Sequence, residues 1–457
     1  MTTASKQIEV RDPFTNEIYQ TFLQSSSMEI QLALQNGHDY YLEALGQDIS
    51  ERARQLQQLA TVFLKRQDEL ATVAAHSMGK RFVEGQNEVA AAANIAHYFA
   101  DHGAEFLTDK PYQSDGLKAH LTYTATGIVL AVEPWNFPYT QVMRVFAPNF
   151  ILGNPIILKH AGITAGCAAL FESLVAEAGI PNGAFKNLFL DHQQVNNIIA
   201  DDRVQGVALT GSEAAGRQIA AAAGQHLKKS TLELGGSDAL IVLGDADIQS
   251  AVEGATVSRL RNAGQVCTSA KRYIVRREIA DAFVEGLQAT FTNQIIGDPL
   301  DPLTTMAPLS AKSAQRILQE QVETAVSAGA HVLIAGGAVP ETNFFLPMLL
   351  TNISSENPAF NTEFFGPVAQ LYLVDSDEEA IQLANATSYG LAGAVYSQDI
   401  AHAQHVAQRM ITGQVFINQP SIGVPQFPFG GVKHSGYGRE MSDLGIYGFA
   451  NQKIIVK

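Results

Sequence analysis

The stretch IILKHAGITAGCAALFESLVAEAGIPNGAFKNLFL (156–190) decides the fold. It begins with an apolar run at 156–161 and continues into a helix-like segment at 164–179, which a glycine and a nearby proline would end. A second apolar run follows at 187–190. A strand, a helix and another strand at this spacing predict a parallel β-α-β unit.

The same alternation extends in both directions from this stretch. GIVLAVEP (127–134) precedes it as a further strand, and GVALT (206–210) follows it, ahead of a helix at 212–224. Right-handed crossovers would give an open sheet with a crevice at the carboxyl ends of its strands. A second α/β half is expected after 234–236, beginning with a strand at 239–243. Helices are predicted at 51–78, 86–101, 246–261, 279–293, 312–328, 377–386 and 399–411.

Composition excludes several classes of protein. The 457 residues are 46% hydrophobic and 16% charged, which rules out wholesale disorder. The formal net charge is −15, so a general affinity for nucleic acid or an anionic membrane surface is not expected. No apolar run approaches about 18 residues, the N-terminus lacks a signal-peptide pattern, and two cysteines form no disulfide framework. We therefore expect a cytoplasmic protein.

A phosphate-binding feature occurs without the usual glycine fingerprint. No G-x-G-x-x-G follows a strand, but Gly211 and Ser212 lie between the strand at 206–210 and the next helix. Ser212 suits the helix N-cap, and the N–H groups there would bind an anion. Gly216 allows close approach one turn further on, and Lys159 ends a strand at the same edge of the sheet. Taken alone, an ordinary capped helix and a solvated lysine also explain these residues.

Three residues of types that catalysis uses stand in unusual surroundings, although, taken alone, an inert loop thiol at 267 and a surface strand carboxylate at 233 also explain two of them. Cys267 lies in a loop of Gly, Asn and Gln, whereas Cys167 lies among alanines in a helix and is expected in the core. Glu233 is flanked by leucines, and burial would raise its pKa toward that of a general base. Asn136 stands on the stiff segment EPWNFP (133–138), where its amide suits an oxyanion hole. No His, Cys, Asp or Glu set has metal-ligand spacing, so no metal site is predicted.

Seven motifs, taken together and in order, are similar to those of the aldehyde dehydrogenase superfamily. The interval of 34 residues from Glu233 to Cys267 also fits the family pattern. The chain most resembles the shorter bacterial succinate-semialdehyde dehydrogenases. The resemblance spans nearly the whole chain and implies an α/β fold with a Rossmann-like cofactor domain, an α/β catalytic domain and a small β oligomerisation arm. The motifs are PWNFP (134–138), LK (158–159), TGSEAAG (210–216), LELGG (232–236), NAGQVC (262–267), EFFGPV (363–368) and PFGGVKHSGYGRE (428–440).

The resemblance implies a role for each motif residue. Cys267 would attack an aldehyde, the Asn136 amide would hold the oxyanion, and Glu233 would activate the water that hydrolyses the thioester. A glutamate at position 233 implies release of a free acid rather than transfer to coenzyme A. The residues implied for cofactor binding are Trp135, Lys159, Gly211, Ser212, Gly216, Glu363 and Phe365.

The implied substrate depends on two arginines. Arg144 and Arg261 match the positions that hold the distal carboxylate in succinate-semialdehyde dehydrogenases, and Ser421 is implied as a further hydroxyl contact. A surface ion pair for Arg144 and support of the cysteine loop by Arg261 are the alternatives. The expected reaction is NAD(P)-dependent oxidation of succinate semialdehyde to succinate. Alternatives are glutarate semialdehyde or another aldehyde as substrate, and, more distantly, a noncatalytic binding protein on the same scaffold.

Cofactor preference is inferred from one departure from the family pattern. Gly162 stands where many NAD-preferring members have a glutamate, so NADP is expected as the preferred cofactor, with NAD as the alternative. Lys159 and His160 would add positive charge there, whereas Glu213 would oppose a phosphate.

The resemblance also implies the domain boundaries. The dinucleotide-binding domain would comprise 1–106 and 126–233, and the catalytic domain 234–440. The oligomerisation arm would comprise 107–125 and 441–457, whose strands would pair between subunits. A homodimer or homotetramer is therefore expected.

Overall fold

The computed structural model describes residues 6–457, and its N-terminal part is a hairpin followed by four helices. The hairpin strands are β1 (Gln7–Arg11) and β2 (Ile18–Leu23). A capping box begins the first helix: the Ser26 hydroxyl accepts from the Glu29 N–H, and the Glu29 carboxylate accepts from the Ser26 N–H. The helices are α1 (Ser27–Ala44), α2 (Ile49–Lys65), α3 (Gln67–Met78) and α4 (Phe82–Phe106).

The prediction of one helix over 51–78 was wrong, because the chain breaks at Arg66. Its φ of −103° and ψ of 19° lie outside the helical range, so α2 ends at Lys65 and α3 begins at Gln67. The Arg66 guanidinium pairs with Glu69 and Glu177, which holds the break in place. Gly79 ends α3, since this residue has a φ of +77°, which favours glycine.

The next part of the chain alternates strands and helices. Its elements are β3 (Lys110–Ser114), β4 (Leu117–Thr124), β5 (Ile128–Glu133), α5 (Thr140–Leu152), β6 (Ile156–His160), α6 (Ala165–Glu177), β7 (Phe185–Asn187), α7 (His192–Ala200), β8 (Val204–Thr210), α8 (Glu213–Gln225) and β9 (Lys229–Glu233).

A second α/β part follows, and a short C-terminal part completes the chain. Their elements are β10 (Asp238–Val242), α9 (Ile248–Leu260), β11 (Ala270–Arg276), α10 (Ala280–Thr292), α11 (Lys312–Ser327), β12 (His331–Ile334), β13 (Gly337–Ala338), β14 (Phe345–Leu346), β15 (Met348–Thr351), β16 (Val368–Val374), α12 (Asp377–Asn385), β17 (Ala392–Tyr396), α13 (Ile400–Gln408), β18 (Gln414–Ile417), β19 (Gly436–Tyr437), α14 (Ser442–Tyr447) and β20 (Asn451–Val456).

Two large sheets and a small one organise these elements. The first sheet has the strand order β19-β9-β8-β5-β6-β7, with β5 to β9 parallel and β19 antiparallel at the edge. The second has the order β12-β15-β16-β11-β10-β17-β18 and is parallel except for β12. The third is the antiparallel sheet β20-β4-β3. The expected parallel α/β architecture is confirmed.

The first sheet is buried on both faces. Along β5, Val129 and Ala131 pack into one hydrophobic cluster with the α5 residue Phe146, whereas Ile128 and Leu130 pack into another on the opposite face. Apolar residues at every position are typical of parallel strands covered by helices on both sides. This burial leaves the strand ends as the places where polar side chains of the sheet meet a crevice.

The prediction of a strand at 187–190 was wrong in its bounds. The strand β7 ends at Asn187, because the main chain of Phe189 pairs with Ser25 rather than with the sheet. The Ser25 N–H donates to the Phe189 carbonyl over 2.8 Å, and the Phe189 N–H donates to the Ser25 hydroxyl over 3.0 Å. Within residues 6–457, no helix is both long and apolar enough to cross a membrane.

Candidate active site

Two cavities meet at Cys267. The first, here called the arginine cavity, has a volume of about 180 Å³ and is lined by Arg144, Arg261 and Phe429 among others. The second, the tryptophan cavity, has a volume of about 280 Å³ and is lined by Trp135, Asn136, Thr210, Gly211, Ser212, Glu233, Gly235, Glu363 and Phe365. Cys267 and Gln141 line both. A group bound in either cavity would therefore reach the same sulfur.

The loop that carries Cys267 has a strained backbone. Asn262 and Ala263 both have a φ of +52°, which costs a non-glycine residue about 1 kcal/mol or more. Contacts from other elements hold this conformation: the Glu84 carboxylate accepts from the Asn262 N–H over 2.9 Å, and the Asn262 side-chain amide donates to the Asn136 carbonyl over 3.0 Å. The loop is thereby fixed against both α4 and the segment 133–138.

Cys267 is half-buried, and charged side chains lie near it. Burial raises the pKa of its thiol to about 11, while the nearby cations Lys271 and Arg144 oppose this rise. Cys167 is fully buried in the core, as predicted, and burial raises its pKa to about 12. Of the two thiols, Cys267 is the one that lines a cavity.

Asn136 is held rigidly beside this loop. Its amide nitrogen donates to the Gln265 carbonyl over 3.0 Å, and its amide oxygen accepts from the Gln141 side chain over 3.1 Å. One of the two amide protons is used in the first of these bonds, so the other is available to a ligand. The arrangement meets the requirement for a fixed donor near the sulfur.

A buried ion pair that was not predicted supports Asn136. The Lys80 ammonium donates to the Asn136 carbonyl over 2.8 Å and pairs with the Glu88 carboxylate, and both side chains are fully buried. Glu88 in turn accepts from the N–H groups of Tyr139 (2.8 Å) and Thr140 (3.2 Å) at the start of α5. The pair thus fixes the segment 133–138 to α4. The sequence feature that indicates burial of Glu88 is its helical spacing from the small buried residues of α4, namely Gly85, Ala92 and Ala96.

Glu233 is the last residue of β9, and its buried side chain lines the tryptophan cavity. Both of its carboxylate oxygens are buried and accept no hydrogen bond within residues 6–457. Burial, followed by the nearby Glu440, raises its pKa well above the ordinary value, and Arg144 opposes the rise. Glu133 ends the strand β5 in the same sheet and is equally buried without hydrogen bonds. The expectation that burial raises the pKa of Glu233 is confirmed, and such a carboxylate has the basicity to take a proton from water.

The two arginines lie together in the arginine cavity. Arg144 lies 3.7 Å from Glu440 and stacks on the ring of Phe429, with its guanidinium carbon 4.2 Å from the ring centre. Arg261 forms no ion pair within residues 6–457, and the Nε atoms of both arginines are buried without partners. Because an arginine stays protonated inside a protein, this cavity holds a positive charge that an anion could neutralise. Ser421 is not brought into it; the loop contributes Gly423 instead.

The tryptophan cavity combines aromatic walls with a helix N-terminus. Trp135 and Phe365 pack edge to face, with ring centres 5.7 Å apart. Ser212 caps α8 through its hydroxyl, as predicted, and Gly211 leaves the approach to that helix open. The hydroxyl of Thr210 is buried there without a partner. Aromatic faces, free helix N–H groups and an unpaired hydroxyl fit a nucleotide with anionic phosphates.

Two of the residues implied for cofactor binding lie outside this cavity. Lys159 is the last residue but one of β6, at the same edge of the sheet, and burial lowers its pKa. Gly216 is buried against Leu234: a Cβ atom added to it would lie 2.7 Å from that side chain. The small residue at 216 therefore makes room for Leu234 packing.

The charges of two residues near the implied cofactor site differ from those expected from the sequence. His160 was expected to add positive charge, but it is buried, and burial lowers its pKa to about 4, so it is neutral at pH 7. Its ring bonds to the Pro138 carbonyl and the Thr164 hydroxyl instead. Glu213 is neutralised by Arg217, 2.6 Å away, which weakens the repulsion expected from it. Within residues 6–457, no three His, Cys, Asp or Glu side chains are grouped to hold a metal ion.

Comparison with known proteins gives consistent matches over almost the entire chain. Residues 1–455 match the model of the aldehyde dehydrogenase family. The chain is 44% identical to the succinate-semialdehyde dehydrogenase [NADP(+)] of Deinococcus radiodurans, covering 97% of this chain and 93% of that protein. It is 37% identical to the succinate semialdehyde dehydrogenase [NAD(P)+] of Escherichia coli K12, covering 100% and 99%. A crystal structure of succinic semialdehyde dehydrogenase from Streptococcus pyogenes with NADP+ superimposes with a TM-score of 0.96 at 45% identity, covering 98% and 99%.

Proposed function

Since the chain belongs to the aldehyde dehydrogenase family, we propose that it oxidises succinate semialdehyde to succinate, with NADP as its preferred cofactor. The observation that carries the substrate is the guanidinium of Arg261, which forms no ion pair within residues 6–457 and lies beside Arg144 in a cavity that ends at Cys267. A substrate with a carboxylate at one end and an aldehyde at the other would neutralise that charge and place its carbonyl at the sulfur. Paired charge-assisted hydrogen bonds are among the stronger polar contacts.

In the first half of the proposed reaction, the Cys267 thiolate attacks the aldehyde carbon. A carbon–sulfur bond forms, and the carbonyl oxygen becomes an oxyanion. The free amide proton of Asn136 and the Cys267 main-chain N–H would stabilise this charge. Since Gln265 and Gln141 already fix the Asn136 amide, little reorganisation is required when the charge develops.

The cofactor would occupy the tryptophan cavity, held by Trp135, Gly211, Ser212, Glu363 and Phe365. Lys159 and Gly216 remain proposed neighbours of its more distant parts. When bound, its nicotinamide accepts the hydride that leaves the substrate carbon. Cys267 then carries a thioester.

Glu233 would complete the reaction. Its raised pKa makes its ionised form a strong base, which takes a proton from a water molecule as that water attacks the thioester carbon. The carbon–sulfur bond breaks, the free acid leaves, and the Cys267 thiolate is restored. The burial of Glu233 supports this role, because no donor among residues 6–457 bonds to its carboxylate oxygens.

Two features support a preference for NADP. Gly162 supplies no carboxylate to repel a 2′-phosphate, and Arg217 neutralises the acidic Glu213 near the helix N-terminus. The relatives named above include two with NADP in their names or titles and one with NAD(P). NAD is therefore proposed as a weaker second cofactor.

The wider organisation is proposed on the same basis. Residues 1–106 and 126–233 would form the cofactor domain, 234–440 the catalytic domain, and 107–125 with 441–457 the oligomerisation arm. Every residue of β20 is exposed, and its Ile454, Ile455 and Val456 form an apolar edge, which supports pairing into a homodimer or homotetramer. The need for a reduced Cys267 thiol fits a cytoplasmic location.

A panel of aldehydes assayed with NAD and NADP side by side tests the proposal. We expect the highest kcat/KM for succinate semialdehyde with NADP, a lower value for glutarate semialdehyde, and much lower values for butanal and benzaldehyde. Cys267→Ala is the matched control and should bind cofactor without turnover. Equal kcat/KM for butanal and succinate semialdehyde would contradict the substrate assignment, and normal turnover by Cys267→Ala would contradict the mechanism.

A further inference from the structure

Lys271 is a buried cation next to the nucleophile. It lies in β11, four residues after Cys267, and its side chain is completely buried. A charged side chain in the protein interior is strongly unfavourable unless it is paired and hydrogen-bonded. The contacts of this lysine are therefore informative about its role.

The Lys271 ammonium joins the nucleophile loop to the cofactor side of the site. It donates to the main-chain carbonyls of Val266 (3.0 Å) and Cys267, and lies 3.2 Å from the Glu363 carboxylate. The two carbonyls use two of the three ammonium protons, and the ion pair with Glu363 compensates the charge. The same Glu363 oxygen also accepts from the Gly236 N–H over 3.1 Å. Lys271 and Gly236 thus fix Glu363, which lines the tryptophan cavity, relative to the loop of Cys267.

Lys271 also offsets negative charges that lie near the Cys267 sulfur. Glu363 and Asp238 both raise the pKa of Cys267, and without Lys271 the Glu363 charge would face the thiol uncompensated. Among the nearby cations Lys271 gives the largest opposing effect. The charged or titratable groups that face Cys267 or line a cavity with it are Lys271 on β11, Arg144 on α5, Arg261 after α9, Asp238 on β10, Glu233 on β9, Glu363 before β16, Lys80 before α4, and Glu84 and Glu88 on α4.

We propose that Lys271 is a positioning residue: it ties the main chain of Cys267 to Glu363 and, as a fixed positive charge, favours the thiolate that attacks the substrate. The proposal rests on the function proposed above, because it assigns Lys271 to the nucleophile of that reaction. Lys271 touches neither substrate nor the reacting atoms, and it acts through the Cys267 carbonyl and through Glu363.

Alkylation of Cys267 by iodoacetamide measures its thiolate directly, since the thiolate is the reactive form. The rate is followed from pH 6.5 to 9.5 in cofactor-free protein by peptide mass mapping, which separates Cys267 from the buried Cys167. Lys271→Met should shift the rate–pH curve toward higher pH by roughly one unit. At a fixed pH, the alkylation would then be about tenfold slower. Lys271→Arg should keep the wild-type curve, because the charge is retained.

Glu363→Gln provides the second half of the test, because it removes the opposite charge. Alone it should speed alkylation, and in the Lys271→Met background it should restore most of the lost rate. A merely structural lysine would not predict these opposite signs. If Lys271→Met fails to fold, Glu363→Gln is compared with the double variant Lys271→Met/Glu363→Gln. This comparison tests the charge of Lys271 without leaving the Glu363 carboxylate unpaired. The double variant should be alkylated more slowly than Glu363→Gln.

The proposal is overturned if Lys271→Met reacts at the wild-type rate at every pH, or if adding Glu363→Gln restores nothing. In the fallback comparison, equal rates would overturn it. Alkylation uses neither aldehyde nor cofactor, so this outcome is separate from that of the aldehyde panel. A protein that oxidises no semialdehyde would contradict the proposed function while leaving the alkylation result intact.

Discussion

Replacing Arg261 by methionine removes the charge that carries the substrate proposal while keeping most of the side-chain volume. The guanidinium lies in the arginine cavity without an ion pair to any of residues 6–457, and its carbon lies 5.7 Å from the centre of the Phe137 ring. A hydrogen bond to a charged group contributes about 1.5 to 3 kcal/mol. Loss of about 2 to 3 kcal/mol of transition-state binding would lower kcat/KM for succinate semialdehyde by about 30- to 150-fold.

Butanal is the matched substrate, because it has the same carbon chain without the carboxylate. Its kcat/KM should change by less than about threefold, since no charge on the substrate faces position 261. The thermal unfolding midpoint of Arg261→Met should not fall, because the variant removes a largely desolvated charge that forms no ion pair within residues 6–457. Arg316→Met, an exposed arginine on α11, controls for the change in net charge.

Arg144→Met should behave differently from Arg261→Met. Arg144 lies beside Glu440 and opposes the raised pKa of Glu233, so its loss would raise that pKa further and leave less of Glu233 ionised at neutral pH. We therefore expect kcat to fall for butanal as well as for succinate semialdehyde. The reasoning is refuted if Arg261→Met lowers kcat/KM for both aldehydes by the same factor, which would make Arg261 a support of the Cys267 loop.

Three further predictions concern other parts of the site. Lys80→Met should destabilise the protein by about 3 to 5 kcal/mol, because the buried Glu88 is left unpaired, and Lys80→Met/Glu88→Gln should recover much of this in urea unfolding; equal unfolding midpoints of the single variant and wild type would argue against the pair. Gly162→Glu should raise KM for NADP at least about tenfold and leave KM for NAD little changed, because the added carboxylate would repel the 2′-phosphate. The substitution should be tolerated, since within residues 6–457 an added Cβ would meet only Ile8, at 3.4 Å. Steady-state kinetics with both cofactors would test it, and an unchanged KM for NADP would refute it. Glu233 needs its ionised form, so thioester hydrolysis should rise with pH toward the raised pKa. Glu233→Gln should accumulate a thioester visible by intact mass, and unimpaired steady-state turnover would refute the base.

The sequence was a sufficient guide where local pattern dictates structure. The strands at 128–133, 156–160 and 204–210 follow from apolar runs of the right length, and their helices from spacing and stop signals. The same reasoning separated a core thiol at 167 from a loop thiol at 267, because helix neighbours and loop neighbours differ in kind.

Local sequence pattern failed to predict the structure where residues distant in the sequence determine the main-chain hydrogen bonds or the charge of a side chain. The strand expected at 187–190 ends early because Ser25 takes the main chain of Phe189. His160 could be placed at the sheet edge from its neighbours, but its neutral state depends on burial and on bonds to Pro138 and Thr164. A single sequence window contains no information about such partners.

By itself, the sequence determined the alternating α/β order and, through motifs in order, the family and the types of side chain that catalysis would use. Only the tertiary structure decided that two cavities meet at one sulfur, that Arg261 pairs with no carboxylate within residues 6–457, and that Lys271 and Glu363 balance each other beside the sulfur. The physical reason is range. Backbone periodicity is set by neighbours within a few residues, whereas the energy of a buried charge is set by whatever the fold brings within a few ångströms of it.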